Sequence, residues 1–164
     1  MPRPPLTSIE QDFQTPAHAV NPLIPYLKKD WVIWECANGQ GNLSNALIKN
    51  NFSVIKSDIL TGFDFLSDAP LDCDCIITNP PYNKKDKFLQ RCYEISRPFA
   101  LLLPLYCLES EPRYQLFRDF GLELILMPRR IHYINPKGIS SRSWYPSAWF
   151  TNWLNIGTQI TYPG

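Results

Sequence analysis

Short apolar runs alternate along the chain with segments that have helical spacing. Apolar runs of strand length cover residues 31–35, 52–57, 73–78, 99–105, 122–127 and 146–154. Helical spacing occurs over 43–50, with Asn42 or Ser44 as its cap, and over 85–96 and 111–120. Strands that alternate with helices predict an α/β domain with a largely parallel sheet.

Polar or glycine-rich segments follow three of these predicted strands. Glu35 ends the first strand and leads into Gly39-Gln-Gly41, Asp58 ends the second, and Asn79-Pro-Pro-Tyr82 follows the third. Parallel sheets bind ligands beyond the carboxyl ends of their strands. The three segments are therefore expected to meet at one edge of the sheet.

The first two segments suit a nucleoside ligand. Two residues without a Cβ, Gly39 and Gly41, let a ligand approach the backbone closely. A serine at position 44 replaces the third glycine of a dinucleotide fingerprint. Asp58 is placed to accept both hydroxyls of a ribose. A ribose-binding acid beside a loop without a phosphate fingerprint fits a nucleoside with an uncharged linker, such as S-adenosylmethionine.

The third segment suits a planar amine. Two prolines make the backbone rigid and leave carbonyls without neighbouring N–H groups. The Asn79 side-chain oxygen and the Pro80 carbonyl can then accept both hydrogens of one amine. Tyr82 can stack on the ring that carries this amine, as extruded bases are held.

These segments resemble motifs of a known enzyme family. Residues 34–41 resemble motif I of class I S-adenosylmethionine-dependent methyltransferases, and residues 77–82 resemble motif IV of the N6-adenine DNA methyltransferases. Residues 12–16 resemble their motif X, a Thr-Pro element, and residues 64–66 resemble motif III. The order matches along the chain, and the resemblance spans about residues 10–155.

The resemblance implies a Rossmann-like fold with seven mostly parallel strands, the last antiparallel, and helices on both faces. It implies S-adenosylmethionine as cofactor and methyl transfer to the N6 amine of adenine in DNA. The catalytic residues would be Asn79, Pro80, Pro81 and Tyr82. The cofactor-binding residues would be Thr15, Pro16, Glu35, Cys36, Ala37, Asn38, Gly39, Gly41, Asp58, Ile59, Asp64, Phe65 and Asn79. No metal is expected.

Charge is distributed unevenly along the chain. The 164 residues carry a net charge of +1, with 16 basic and 15 acidic side chains, but most of the basic ones lie after residue 83. Basic residues with interleaved aromatics suit phosphates and unstacked bases, so nucleic acid, and DNA in particular, is the expected partner. The expected substrate-binding residues are Lys84, Lys85, Lys87, Arg129, Arg130, Lys137 and Arg142.

Two alternatives remain open from the sequence. Relatives with an Asn-Pro-Pro-Tyr motif also methylate RNA guanine amines or protein glutamine amides, and a third possibility is a non-catalytic subunit of a larger complex. The length predicts one catalytic domain over 1–164 with an irregular arm at 1–12 and no separate target-recognition domain. Target recognition would then come from short loops, chiefly about 83–91 and 128–145, or from a second subunit or a homodimer. No apolar run suits a membrane span or a secretory signal, so a cytoplasmic location is expected.

Overall fold

The computed structural model describes residues 14–135, 137–143 and 145–157. The predicted arm at 1–12 lies outside these residues. The strands are β1 (Val32–Glu35), β2 (Ser53–Lys56), β3 (Cys75–Thr78), β4 (Phe99–Pro104), β5 (Glu123–Leu126), β6 (His132–Ile134), β7 (Ser140–Arg142) and β8 (Ser147–Asn152). The α-helices are α1 (Asn42–Lys49), α2 (Lys85–Ile95) and α3 (Glu111–Phe120).

Six strands form the main sheet in the order β2-β1-β3-β4-β8-β5. β1 pairs in parallel with β2 and β3, and β3 pairs in parallel with β4. β8 is antiparallel and lies between β4 and β5. The predicted Rossmann-like α/β fold with a mostly parallel sheet is confirmed, and the carboxyl ends of β1, β2 and β3 lie at one edge.

The main sheet has six strands in the described part of the chain, so the expected count of seven was wrong. Residues 57–74, between β2 and β3, form turns and a 3-10 helix over Ile59–Thr61. Aspartates promote these turns: Asp64 accepts a hydrogen bond from the Leu66 N–H, and Asp68 accepts one from the Asp64 N–H. β2 is therefore the edge strand.

The core has one layer on each face of the sheet. Ile33, Ile77 and Leu102 pack on one face with α1, and Trp34, Ile76 and Leu101 pack on the other with α2 and α3. Successive side chains of a strand point to opposite faces, so neighbouring residues enter different layers. Continuous apolar runs in β3 and β4 follow from burial on both faces.

Two local features differ from expectation. Gly41, in the left-handed conformation, is the N-cap of α1, instead of Asn42 or Ser44. The Ser44 hydroxyl donates instead to the Asn38 side-chain oxygen, at 2.6 Å. Second, β6 and β7 form a two-stranded antiparallel hairpin within the stretch expected to be loops. Three-residue strands are too short for alternation to reveal.

Within the described residues, none of the helices has the length and apolar character that crossing a bilayer would require. All five cysteines are buried, and each is a free thiol.

Candidate active site

The glycine loop after β1 is held by Asp58 at the end of β2. The Gly39 N–H donates to Asp58 Oδ2 at 2.8 Å, and Gly39 has a φ of 50°. A Cβ added at Gly39 would lie 3.2 Å from the Gln14 side-chain nitrogen. The positive φ and the close Gln14 amide both favour glycine at this position.

Asp58 supports this edge through both carboxylate oxygens. Its Oδ1 accepts the Leu60 N–H at 2.9 Å and so caps the 3-10 helix that follows. The side chain is half-buried, and Ile59 beside it is 57% exposed. Each carboxylate oxygen has two lone pairs. Asp58 therefore keeps acceptor capacity for a ligand, next to an exposed apolar side chain.

Glu35 is a buried acid without a counter-ion. Its side chain is 1% exposed, and among the described residues no lysine or arginine forms an ion pair with it. Burial raises the pKa of Glu35 from 4.5 to about 7, and the charge of Asp58 adds to this rise. The nearby Thr78 hydroxyl and the Ala37 N–H, which donates to Glu35 Oε1 at 3.0 Å, oppose this rise in the pKa. A ligand cation bound here would supply the counter-ion that the Glu35 carboxylate lacks.

Asn79 presents an acceptor at the end of β3. Its Nδ2 donates to the Thr15 hydroxyl oxygen at 2.9 Å. Its Oδ1 is buried and has no hydrogen-bond partner. A buried unpaired acceptor costs about 1–3 kcal/mol, so this oxygen is available to a donor. Among the described residues, the hydroxyls of Thr78, Tyr133 and Ser147 are also buried and unpaired.

The other three residues of this segment differ in exposure. Pro80 is buried, Pro81 is exposed and Tyr82 is half-buried. Burial raises the pKa of Tyr82 above its ordinary value, and Tyr133 adjoins its hydroxyl. The Tyr133 hydroxyl, at the tip of a buried side chain, makes no hydrogen bond of acceptable geometry.

The remaining predicted cofactor residues take different positions. Cys36 and Phe65 are core residues, and Phe65 packs between Trp34 and Phe88. At 2% exposure, the Phe65 side chain has almost no surface left for a ligand. Others surround the strand ends as half-buried groups: Pro16, Ala37, Asn38 and Asp64. Asp12 and Phe13 of the motif X resemblance lie outside the described residues.

The predicted substrate-binding residues form two groups. Lys84, Lys85 and Lys87 lie at the start of α2, where the Lys85 ammonium donates to the Tyr82 carbonyl at 3.3 Å. Lys137 is exposed in the turn between β6 and β7, and only the backbone of Arg142, on β7, is described.

Arg129 and Arg130 line an open pocket that sequence reasoning missed. Its volume is about 690 Å³, and His18 and His132 line it too. These are the only two histidines of the chain. None of the residues that line it is a carboxylate, so the pocket suits an anion. The two histidines are 114 residues apart, and no sequence spacing signals that they share a pocket.

The residues at this edge fit S-adenosylmethionine. Glu35 suits its ammonium, Asp58 suits its ribose hydroxyls, and the glycine loop allows close backbone approach. The unpaired Asn79 oxygen can accept a hydrogen bond from an amine.

Comparison with solved structures supports the fold. A dimethyladenosine transferase from Plasmodium falciparum matches with a TM-score of 0.55 and 14% identity, over 85% of this chain and 61% of that chain. The type I restriction-modification methyltransferase subunit from Streptococcus thermophilus matches with a TM-score of 0.56 and 16% identity, over 85% of this chain and 44% of that chain. The precorrin-6y C5,15-methyltransferase from Geobacter metallireducens GS-15 matches with a TM-score of 0.51 and 13% identity, over 91% of this chain and 98% of that chain.

The chain thus spans about three-fifths of the Plasmodium enzyme and less than half of the Streptococcus subunit. It spans nearly all of the Geobacter enzyme. No family model and no curated protein matches it. The fold is the Rossmann-like fold of class I methyltransferases, and the strand-end site occupies the edge at which such sheets bind ligands.

Proposed function

We propose that this protein transfers a methyl group from S-adenosylmethionine to the exocyclic N6 amine of adenine in DNA. The observation that carries the proposal is the buried, unpartnered oxygen of Asn79 at the end of β3, beside Pro80 and Tyr82. An acceptor that lacks a donor is the group that a planar amine would complete.

The cofactor would be held by residues from four segments. Thr15 and Pro16 would lie at its methionine end, as motif X implies, and Glu35 would bind its ammonium. Backbone of residues 36–41, with Asp58 and Ile59, would hold the nucleoside, and Asp64 would contact the adenine, while Phe65 packs in the core behind it. When bound, S-adenosylmethionine supplies a methyl group already activated on a sulfonium.

The protein's contribution to the reaction is acceptance and alignment. An exocyclic amine is a poor nucleophile, because its lone pair is delocalised into the ring. The Asn79 side-chain oxygen and the Pro80 carbonyl would accept hydrogen bonds from both N–H groups of the amine. These bonds would localise the lone pair and stabilise the positive charge that develops on nitrogen. Tyr82 would hold the ring against its face, so that the amine is aligned for in-line attack.

Charge favours nucleic acid over a protein amide as the substrate. The pocket with Arg129, Arg130 and both histidines has no carboxylate in its lining, and three lysines begin the segment after Tyr82. Phosphates bind to surfaces of this kind. RNA has the same phosphates, so an RNA amine is the alternative that the substrate test must distinguish.

Target choice would come from short segments or from a second chain. We infer that residues 1–164 act as one catalytic domain in the cytoplasm. The segments 83–91 and 128–145, which include the start of α2 and the hairpin, would contact the target. A homodimer or a partner subunit would extend this surface. One solved neighbour is itself a restriction-modification methyltransferase subunit.

Incubation with S-adenosylmethionine and DNA, followed by nucleoside analysis, tests the proposal. N6-methyladenine in the digest would support it. DNA that remains unmodified at every enzyme concentration would contradict it.

Charge reversal at Arg129 and Arg130 should weaken nucleic-acid binding. Each lost phosphate contact lowers the slope of log affinity against log salt by about 1, so the double variant should lose about 2. Fluorescence anisotropy with labelled duplex DNA over a range of salt concentrations measures this. Cofactor affinity should stay unchanged.

Arg118→Glu provides the matched control, because Arg118 is a surface arginine of α3 that pairs with its neighbour Asp119. It should leave the salt slope unchanged. Equal loss of DNA and cofactor binding in the Arg129/Arg130 variant would indicate a folding defect and remove the support for phosphate contact.

A further inference from the structure

Gln14 and Thr15 contact three separate parts of the site. The Gln14 N–H donates to the Ile134 carbonyl at 2.7 Å, and the Ile134 N–H donates back at 3.0 Å, which joins this segment to β6. The Gln14 side-chain oxygen accepts the Gln40 N–H of the glycine loop at 3.2 Å. The Thr15 hydroxyl accepts the Asn79 amide at 2.9 Å.

Both residues are buried, so the side chains that make these hydrogen bonds have little room to move. Gln14 is 7% exposed and Thr15 is 5% exposed. Hydrogen bonds of its backbone with β6 and of its side chain with the glycine loop leave Gln14 little freedom to move. The Thr15 hydroxyl is therefore held in place relative to both the glycine loop and the end of β3.

The orientation of the Asn79 amide decides whether it can accept an amine. The two ends of a carboxamide are similar in shape, but only the oxygen accepts a hydrogen bond. Rotation of the side chain by half a turn would place an NH2 donor against the donor hydrogens of the substrate. The Thr15 hydroxyl can accept or donate, whereas the substrate amine only donates. With Nδ2 bonded to Thr15, the oxygen is the end left for the substrate.

We propose that Thr15 is a positioning residue that acts through Asn79, with Gln14 as its anchor to the glycine loop and the hairpin. The role is separate from any contact of Thr15 with the cofactor, and it rests on the proposed methyl transfer to an amine. Together the two residues link the loop that would hold the cofactor to Asn79, whose oxygen would accept a hydrogen bond from the substrate amine. Thr15 and Asn79 are 64 positions apart in the sequence, so this contact depends on the tertiary fold.

The Thr15→Val variant removes the acceptor and keeps the shape. The buried Nδ2 then lacks a partner, and the Asn79 side chain loses the contact that holds it in place with its oxygen toward the substrate. We expect kcat to fall about 10- to 100-fold, with KM for DNA changed less than threefold, because an unsatisfied buried group costs a free energy of that order. Thr15→Ser keeps a hydroxyl and should restore kcat to within threefold.

Thr151→Val is the matched control. Thr151 is also buried and hydrogen-bonded, but it contacts Glu123 and pairs with Ala100 at the start of β4. This variant should lower the free energy of unfolding without a specific loss of kcat. A Thr151→Val loss equal to that of Thr15→Val would overturn the positioning role, since any buried threonine would then have the same effect.

A second measurement does not depend on catalysis. The side-chain NH2 resonances of Asn79, assigned with Asn79→Asp, should exchange slowly with solvent in the wild type and at least tenfold faster in Thr15→Val. Unchanged exchange together with unchanged kcat would overturn the inference. A wild-type protein that methylates no DNA, but shows the expected change in exchange, would contradict the proposed function and support the Thr15–Asn79 contact.

Discussion

Replacement of Asn79 by alanine should abolish nearly all methyl transfer while the protein stays folded and loses far less of its affinity for the cofactor. The variant loses the unpartnered oxygen on which the proposed amine acceptance depends. Removal of one preorganised group of this kind typically costs about 100- to 1,000-fold in kcat. Steady-state kinetics on adenine-containing duplex DNA measure the loss, and calorimetry measures cofactor binding.

Asn83→Ala is the matched control for this substitution. Asn83 is exposed and lies in the 3-10 helix of residues Tyr82–Lys84, next to the same segment. At saturating DNA we expect its kcat to stay within threefold of the wild type, because a contact from segment 83–91 to the target would change KM and not kcat. Retention of full activity by Asn79→Ala would remove Asn79 from the proposed mechanism, and an equal loss in Asn83→Ala would show that the loop as a whole had been disturbed.

Glu35→Gln should make the protein more stable at pH 8 and a weaker binder of S-adenosylmethionine. The pKa of Glu35 is about 7 in the folded protein against an ordinary 4.5, because burial disfavours the charged form. Each unit of this difference between the two pKa values corresponds to about 1.4 kcal/mol. Ionisation of Glu35 therefore destabilises the fold by up to about 3 kcal/mol.

The sign of the pH dependence follows from the raised pKa. The stability that Glu35 contributes is complete below pH 4.5 and is lost as the pH rises through about 7. The wild type and Glu35→Gln should therefore be similar in stability at pH 4.5 and diverge above it. Urea unfolding across this range measures the difference. A Gln variant less stable than the wild type at pH 8 would contradict the assignment of an unpaired buried carboxylate.

The affinity for the cofactor should depend on pH in the opposite direction to the stability, and rise as the pH rises. An ammonium binds the ionised carboxylate, so wild-type affinity should fall as the pH drops below about 7. Glu35→Gln should bind about 10- to 100-fold more weakly at pH 8, as expected for loss of a charged hydrogen bond. Its affinity should vary little with pH. Equal affinity of both proteins at pH 8 would exclude Glu35 from the cofactor site.

The strand ends were predictable because they are local features of the sequence. Apolar runs that end in Glu35, Asp58 and Asn79 signal buried strands, and a parallel sheet brings their ends to one edge. The glycines at 39 and 41 both have positive φ, as a close-approach loop requires. These features gave the fold class and the strand ends that form the candidate site.

The contacts between distant segments could not be predicted. Thr15 reaches Asn79 across 64 residues, and His18 and His132 share a pocket across 114. No periodicity or spacing encodes such pairs, which depend on how the elements pack. Phe65 illustrates the same limit, because packing against Trp34 and Phe88, not its position beside Asp64, decides where its ring points.

The most direct test of the central claim is transfer of label from methyl-labelled S-adenosylmethionine to equal panels of duplex DNA, single-stranded DNA, RNA and protein. Each product is digested, and the modified unit is identified. The account predicts label in N6-methyladenine of DNA, absent with Asn79→Ala. Label confined to RNA or to protein glutamine would contradict the proposed substrate, and no label in any panel would contradict methyl transfer itself.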